Sequence, residues 1–218
     1  MTQHMQRELE KLKKMVLSLG ATVEETVQQA SQSLTDMNVP LAQQVIAGDD
    51  QIDRFEVDLE EECLKLLALY QPVAADLRFI VSVLKINNDL ERIADLATNI
   101  ANRTVGLASE PAVPVPFDFP KMATICQAML KNALDALVNY DARLAGQVID
   151  RDDEVDQMHK HNYTLVKAQI RQHPERIDSL VQHISVSRHL ERIGDLATNI
   201  AEDVIYMIQG EIVRHQER

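Results

Sequence analysis

Four pairs of carboxylates, each separated by four residues, are the chemically most informative feature of the sequence. The pairs are Asp49 and Asp53, Glu91 and Asp95, Asp152 and Asp156, and Glu191 and Asp195. Residues four apart share one face of a helix, where like charges repel by roughly 0.2–0.5 kcal/mol. A compensating positive charge is therefore expected. If antiparallel helices bring two pairs level, four carboxylate oxygens form a hard site suited to a multivalent cation.

An internal repeat makes this arrangement more specific. The segments LERIADLATNIA (residues 90–101) and LERIGDLATNIA (residues 190–201) differ at one position of twelve. Upstream, residues 41–53 resemble residues 144–156, which are 103 positions further along the chain. An isolated acidic pair usually lies on a solvated helix surface, where a local ion pair with a neighbouring arginine can offset the repulsion without a metal. Because both copies keep the acidic pairs, the repeat favours a duplicated metal-binding face.

Neighbouring side chains fall into four groups. An apolar stripe on the third helix predicts the face toward the core: Ile86, Leu90, Ile93, Ala97 and Ile100. Oxygen-bearing residues are expected beside the acids: Asn88, Thr98, Asn99 and Asn102 in the first copy, and Thr198, Asn199 and Glu202 in the second. Local ion pairs of Arg92 with Asp95 and of Arg192 with Asp195 are the alternative to a metal. His159, His161 and His189 are conceivable as ligands beside the second acidic pairs, but ordinary exposed or core histidines are the favoured explanation, and they are not counted among the predicted ligands.

Helices are the elements that must position these groups. Apolar residues recur every three or four positions, and prolines fall only where helices plausibly begin or end. These signals predict six helices at about 4–36, 40–70, 73–109, 120–139, 141–172 and 175–211. The fold class is therefore all-α, with two tandem three-helix bundles related by internal duplication and packed side by side. The domains are expected at 1–110 and 121–218, joined by a proline-rich linker at 111–120.

Composition narrows the range of functions. The chain has 218 residues and a formal net charge of −12, which disfavours binding to nucleic acid or to an anionic membrane surface. Eight aromatic residues and few glycines and prolines disfavour β-sheet architectures. Cys63 and Cys126 lack metal-ligand spacing and predict buried thiols. With no apparent signal peptide or spanning segment, we expect a cytoplasmic protein without membrane insertion.

Enzyme signatures are missing from the sequence. No phosphate-binding glycine loop, no HExxH motif and no nucleophile–histidine–aspartate spacing occurs. A ferritin-like di-iron enzyme requires Glu-x-x-His, and no glutamate has a histidine three residues later. We therefore expect a protein without catalytic activity. A helical structural or chaperone-like protein, whose acidic stripe serves only solubility, is the alternative.

The repeated LERI(A/G)D-x-A-x-NIA motif and the preceding D-D-x-(I/V)-D motif resemble the PhoU family across almost the whole chain. The resemblance implies a six-helix, often homodimeric, non-enzymatic regulator of phosphate homeostasis. It also implies binding of divalent or trivalent iron, zinc, manganese or magnesium ions through the eight carboxylates named above. The implied partners are a membrane sensor histidine kinase and the ATP-binding subunit of the phosphate transporter. Ala94 in place of Gly194 is expected to alter how closely a neighbouring helix approaches.

Overall fold

The chain folds into six long α-helices, in agreement with the predicted fold class. The computed structural model describes residues 3–110, 113 and 117–210. The helices are α1 (Gln3–Thr35), α2 (Val39–Tyr70), α3 (Ala74–Ala108), α4 (Phe119–Asn139), α5 (Ala142–Gln172) and α6 (Ile177–Gln209). A 3₁₀ turn at Pro174–Arg176 precedes α6. The helix bounds lie within two residues of the predicted ones, and α3 is about 50 Å long at 1.5 Å per residue.

Polar caps and prolines start several of the helices where the sequence predicts. The side chains of Asn38, Asp118 and Asp141 each accept a backbone N–H from three residues further on, at 3.0–3.1 Å. These bonds satisfy one of the N–H groups left without a partner at the start of α2, α4 and α5. Pro40 and Pro120 lie in the first turns of α2 and α4, where a missing N–H costs nothing.

Two three-helix bundles pack side by side through α3 and α6, and α1 also contacts α4. Near the start of α3, Arg78 donates to the carbonyl of Met207 at the end of α6, at 3.5 Å. At the other end, Gln182 near the start of α6 donates to Glu110 just after α3, at 2.8 Å. The two helices therefore run antiparallel, as two copies related by an approximate twofold axis require.

A single hydrophobic core extends through both bundles. It contains buried residues of all six helices. The apolar stripe predicted on α3 lies in this core, and each of its five residues is fully buried. Cys63 and Cys126 are also fully buried and unpaired, as predicted. The bundles are therefore stabilised by shared apolar burial rather than as independent globules.

The contact between the bundles also contains a buried charge. Lys85 Nζ lies 3.2 Å from Asp203 Oδ1, and the Asp203 side chain is 2% exposed. The Ser82 hydroxyl donates to the backbone carbonyl of the same aspartate at 3.3 Å. Because a buried carboxylate is costly without a cation, this pair constrains how α3 and α6 align.

The predicted linker is described only in part. Residues 111, 112 and 114–116 lie outside the described residues, and the last two residues of the predicted segment already belong to α4. The domain limits therefore stay a prediction. In the described part of the chain, no helix combines the length and apolarity needed to cross a membrane.

Candidate metal-binding faces

The first acidic face, which we define as Asp49, Asp53, Glu91 and Asp95, is formed where α2 and α3 pack antiparallel. Thr98 of α3 donates its hydroxyl to Asp49 Oδ1 of α2 at 3.0 Å, which fixes the register of the two helices. Burial and then the charges of Asp95 and Asp53 raise the pKa of the Glu91 carboxyl above its usual value. The pKa of Asp49 is also raised, chiefly by burial and despite the bond from Thr98. The structure thus brings all four predicted carboxylates within electrostatic range of one another.

Glu56 is a fifth carboxylate at this face that the sequence analysis did not identify. Its Oε1 accepts a hydrogen bond from Asn87 Nδ2 of α3 at 3.0 Å. Burial and the neighbouring charges of Glu60 and Asp53 raise its pKa. Glu56 lies seven residues after Asp49, two helical turns along the same stripe, so helical periodicity extended by one more step would have found it.

The second acidic face, defined as Asp152, Asp156, Glu191 and Asp195, repeats this arrangement between α5 and α6. Burial, followed by repulsion from Asp195 and Asp156, raises the pKa of Asp152 to about 6. Burial and the charges of Glu191 and Asp156 likewise raise the pKa of Asp195 to about 6. Burial is also the main cause of the raised pKa of Glu191. These carboxylates destabilise one another when all are ionised, which is the repulsion predicted from their spacing.

The second face also contains buried oxygens without partners. Asp152 Oδ1 and Thr198 Oγ1 are both buried and make no hydrogen bond of good geometry, although Thr198 is close enough to lower the pKa of Asp152, whereas the equivalent Thr98 and Asp49 are bonded at 3.0 Å. Buried oxygens of this kind are costly unless a proton donor or a cation satisfies them. Their chemistry, carboxylate and hydroxyl, suits a hard cation.

The carboxylates are not gathered into a finished coordination shell. Among the described residues, no three His, Cys, Asp or Glu side chains stand close enough together to hold a metal ion. The donor types therefore fit a cation, but the side chains would have to draw together around it.

The three histidines occupy different environments. His159 lies beside the second acidic face, and its Nδ1 is 3.0 Å from the Ser187 hydroxyl, which also accepts a bond from Asn162. Burial lowers the pKa of His159. His161 is exposed. His189 lies on another side of α6, and both of its ring nitrogens are buried without a hydrogen-bond partner.

Three arginines lie within electrostatic range of the His189 ring. Burial and then the positive charges of Arg103, Arg192 and Arg188 lower the pKa of this histidine to about 4. The sequence analysis did not identify this group, since Arg103 is 85 residues or more from the other two and belongs to another helix. Only the packing of α3 on α6 brings them together.

The structure corrects the sequence analysis in two respects, one alternative and one expectation. Arg92 pairs with Asp89 at 3.4 Å rather than with Asp95, because the side chain extends toward the preceding turn. Asn88, Asn199 and Glu202 do not accompany the acidic faces. They line a groove of about 620 Å³ between α3 and α6, since positions 88 and 199 face the other bundle.

Comparison with known proteins assigns the family. Residues 16–104 and residues 119–204 each match the PhoU domain. The chain belongs to the PhoU family. A phosphate-specific transport system accessory protein PhoU homolog from Aquifex aeolicus is 40% identical over 210 residues, which cover 96% of this chain and 95% of the relative. The PhoU crystal structure from Pseudomonas aeruginosa has a TM-score of 0.90 at 39% identity and covers 94% of this chain and 99% of that one.

A second solved structure supports the same fold. The phosphate transport system regulatory protein PhoU from Streptococcus pneumoniae has a TM-score of 0.86 at 30% identity. The alignment covers 96% of this chain and 99% of the pneumococcal chain. Because the PhoU domain matches twice, the duplication predicted from the sequence is confirmed.

The one difference between the two PhoU motifs has little steric effect. A Cβ atom added at Gly194 would lie 3.5 Å from Val155 Cγ1 and 3.7 Å from Asp152 Oδ1, which are ordinary contact distances. Ala94 and Gly194 therefore do not require different distances to the neighbouring helix, contrary to the expectation from the sequence. Either residue fits between the packed helices.

Proposed function

We propose that this chain is an accessory regulator of phosphate uptake that acts without catalysis and represses the phosphate-starvation response. The observation that carries the proposal is the occurrence of the acidic face twice, in two PhoU domains, together with relatives named as accessory proteins of phosphate-specific transport. A regulator of this kind needs broad helical surfaces rather than a closed pocket. Long helices with strongly charged faces are suited to that requirement.

The two acidic faces are proposed to hold divalent or trivalent cations of iron, zinc, manganese or magnesium. Such a cation supplies the positive charge that offsets the repulsion between the carboxylates. On each face the carboxylates of two helices, for example Asp49 on α2 and Asp95 on α3, then turn toward a common centre. This movement ties the neighbouring helices together and stiffens α3 and α6. The net charge and the rigidity of each acidic face therefore depend on whether a cation is bound to it.

Docking onto two membrane-associated partners follows from the same proposal. The partners are a membrane sensor histidine kinase and the ATP-binding subunit of the phosphate transporter, and the chain acts as a homodimer in the cytoplasm. We expect the stiffened faces to dock and the repelling faces to dock weakly. When a cation neutralises the carboxylates, the face no longer repels an acidic surface on a partner protein.

Metal analysis tests the first step. Asp95→Asn combined with Asp195→Asn removes one carboxylate from each face and should lower the metal content measured by elemental analysis. The matched control is Asp58→Asn with Glu61→Gln, which removes two exposed carboxylates of α2 outside the acidic face. Equal metal content in all three proteins would remove metal binding from the proposal.

Recovery of partners tests the second step. The chain is used to pull down proteins from cells grown in phosphate-rich and phosphate-poor medium, with the same double variant in parallel. The proposal expects the kinase and the transporter subunit with the unmodified chain and less of both with the variant. Recovery of neither partner would reject the regulatory role, whatever the metal content.

The structural or chaperone-like alternative is favoured by one observation, the absence of a finished metal-ligand group among the described residues. Thermal melting separates the two functions. An ion that binds only the native state must raise the melting temperature. If the acidic faces bind metal, the chain should therefore melt at a higher temperature with Mn²⁺, Zn²⁺, Mg²⁺ or Fe²⁺ than with EDTA. A melting temperature that no ion changes would support the alternative.

A further inference from the structure

A cleft of about 600 Å³ lies where the ends of four helices from both bundles meet. It is formed by the start of α1, the start of α3, the end of α6 and the residue that follows α4. Apolar side chains supply much of its lining: Leu9, Phe79, Tyr140, Met207 and Ile208. Phe79 is twelve residues before Glu91 on α3, and Met207 is twelve residues after Asp195 on α6. At 1.5 Å per residue each separation is about 18 Å, so the cleft is separate from both acidic faces.

The internal repeat does not account for this cleft. Helix α1 has 33 residues, whereas α4, its counterpart in the second bundle, has 21. The repeat offset of 103 places residues 3–15 of α1 opposite residues 106–118, before α4 begins at Phe119. All the side chains that α1 contributes to the cleft lie in this additional part of the helix. The first turns of α1 therefore have no counterpart in α4, and the cleft they form belongs to one end of the molecule.

Two half-buried cations line the cleft, and each contacts the carbonyl end of a helix. Lys13 Nζ donates to the carbonyl oxygen of Val138 near the end of α4 at 3.3 Å and lies 4.5 Å from the centre of the Tyr140 ring. Arg78 Nε donates to the carbonyl oxygen of Met207 at 3.5 Å. Neither cation forms an ion pair with a carboxylate in residues 3–110, 113 and 117–210. The two bonds use one donor of each group, which leaves further N–H donors for an anionic ligand.

The carboxylates of the lining do not cancel this positive charge. Glu10 is exposed, so solvent and salt screen its charge. Asp76 is half-buried in the first turn of α3, where the helix N-terminus favours a carboxylate. The half-buried charges of the cleft are therefore two cations and one carboxylate. An anionic group beside Lys13 and Arg78 balances the remaining positive charge.

We propose that this cleft binds a small aromatic anion, an aromatic ring that carries either a carboxylate or a phosphate. The anionic group accepts charge-assisted hydrogen bonds from Lys13 and Arg78. The ring packs on the apolar lining, where Phe79 and Tyr140 offer aromatic contacts. A mostly apolar cleft of this volume with a few polar groups that fix orientation is typical of sites for small organic ligands. The site requires no metal and goes beyond the function proposed above.

Calorimetric titration of the EDTA-treated full chain tests the ligand class. The probes are 1-naphthyl phosphate and 1-naphthoate. The controls are 1-naphthol, which lacks the charge, inorganic phosphate, which lacks the ring, and octanoate, which has an alkyl chain in place of the ring. We expect a single site per chain for a naphthyl anion and about tenfold weaker binding of each control.

The two probes distinguish the sources of the anionic group. Tighter binding of 1-naphthyl phosphate identifies a phosphate ligand, tighter binding of 1-naphthoate identifies a carboxylate, and equal binding supports a site that accepts both. Binding of any control as tightly as the naphthyl anions, or no binding of either naphthyl anion, would overturn the proposal.

A substitution of one cation locates the site. Arg78→Gln should weaken binding of the tighter naphthyl anion about tenfold, because it removes a charge-assisted hydrogen bond. Arg171→Gln removes the same charge from an exposed position near the end of α5 and should bind as the unmodified chain does. Circular dichroism checks that both variants are folded. Equal affinity in all three proteins would contradict the assigned site.

Tyr140 offers a variant that removes the ring without strain on the backbone. Its φ of 54° lies in the left-handed region, where glycine is the least strained residue. Met37, at the equivalent turn of the first bundle, has a φ of 49° and is 44% exposed, against 49% for Tyr140. Tyr140→Gly should stay folded by circular dichroism yet weaken binding several-fold, whereas the matched Met37→Gly should bind as the unmodified chain does. Unchanged binding by Tyr140→Gly, or equal weakening by Met37→Gly, would overturn the proposal.

Discussion

Removing the repulsion at the second acidic face should stabilise the metal-free protein. The test is Asp152→Asn combined with Asp195→Asn, because the pKa of each carboxyl is raised to about 6 from an ordinary value of 3.8. A carboxyl whose pKa is higher in the folded chain is ionised there at a cost. The neutral amides avoid that cost while keeping the shape of the side chains.

The size of the effect follows from the pKa values. A difference of roughly two units corresponds to about 3 kcal/mol for one isolated group, at about 1.4 kcal/mol per unit. Solvent screening at these partly exposed positions lowers this value, and the two shifts share one repulsion. We therefore expect about 1–2 kcal/mol for the pair at pH 7. In a chain of this length that gain raises the melting temperature by about 2–8 °C.

The pH dependence provides an internal check. Between about pH 4 and pH 6 the folded chain binds more protons at Asp152 and Asp195 than the unfolded chain, so their contribution to stability falls as the pH rises through that window. The advantage of the double variant should therefore be present at pH 7 and nearly absent near pH 4. Melting curves by circular dichroism in EDTA at several pH values measure it. A variant that is less stable than the unmodified chain at pH 7, or a gain equal to that of Asp58→Asn with Glu61→Gln, would refute the reasoning.

Three further outcomes are expected. Gly194→Ala should stabilise the chain by about 0.5–1 kcal/mol in denaturant unfolding, because a Cβ fits there and alanine favours the helix; destabilisation would mean that the helices pack more closely than described. Lys85→Met should cost about 1–3 kcal/mol by the same measurement, because it removes the ammonium group 3.2 Å from the buried Asp203 carboxylate, and an unchanged midpoint would contradict the importance of this pair. Cys63 and Cys126 should resist a thiol reagent at pH 8 until the chain unfolds, since burial raises the pKa of both thiols to about 12; rapid labelling of the native chain would contradict this.

Local rules explain how much of the fold could be predicted. Helical periodicity, prolines and caps act over a few residues, and the predicted helix bounds are correct to within two residues. Asp49 and Asp53 are four residues apart, as are Glu91 and Asp95, so each pair lies on one face of its helix for the same reason. The duplication is visible because both copies preserve these short-range patterns.

Contacts between helices could not be predicted in this way. Glu56 and His159 occupy equivalent positions on α2 and α5, and their partners Asn87 and Ser187 are set by the alignment with α3 and α6. Within α3, the spacing also allowed Arg92 to pair with Asp95, and only the structure shows that it pairs with Asp89. Sequence spacing restricts a side chain to a face, but rotamers and neighbouring helices select its partner.

The sequence by itself determined six helices, their duplication and the positions of eight carboxylates on them. Only the packing of the helices makes the two bundles share one core, brings the acids of neighbouring helices close enough to raise several pKa values, and places three arginines of two helices within electrostatic range of His189. The physical reason is distance along the chain. Helix formation depends on residues three or four positions apart, whereas charge clusters depend on the packing of residues up to about a hundred positions apart.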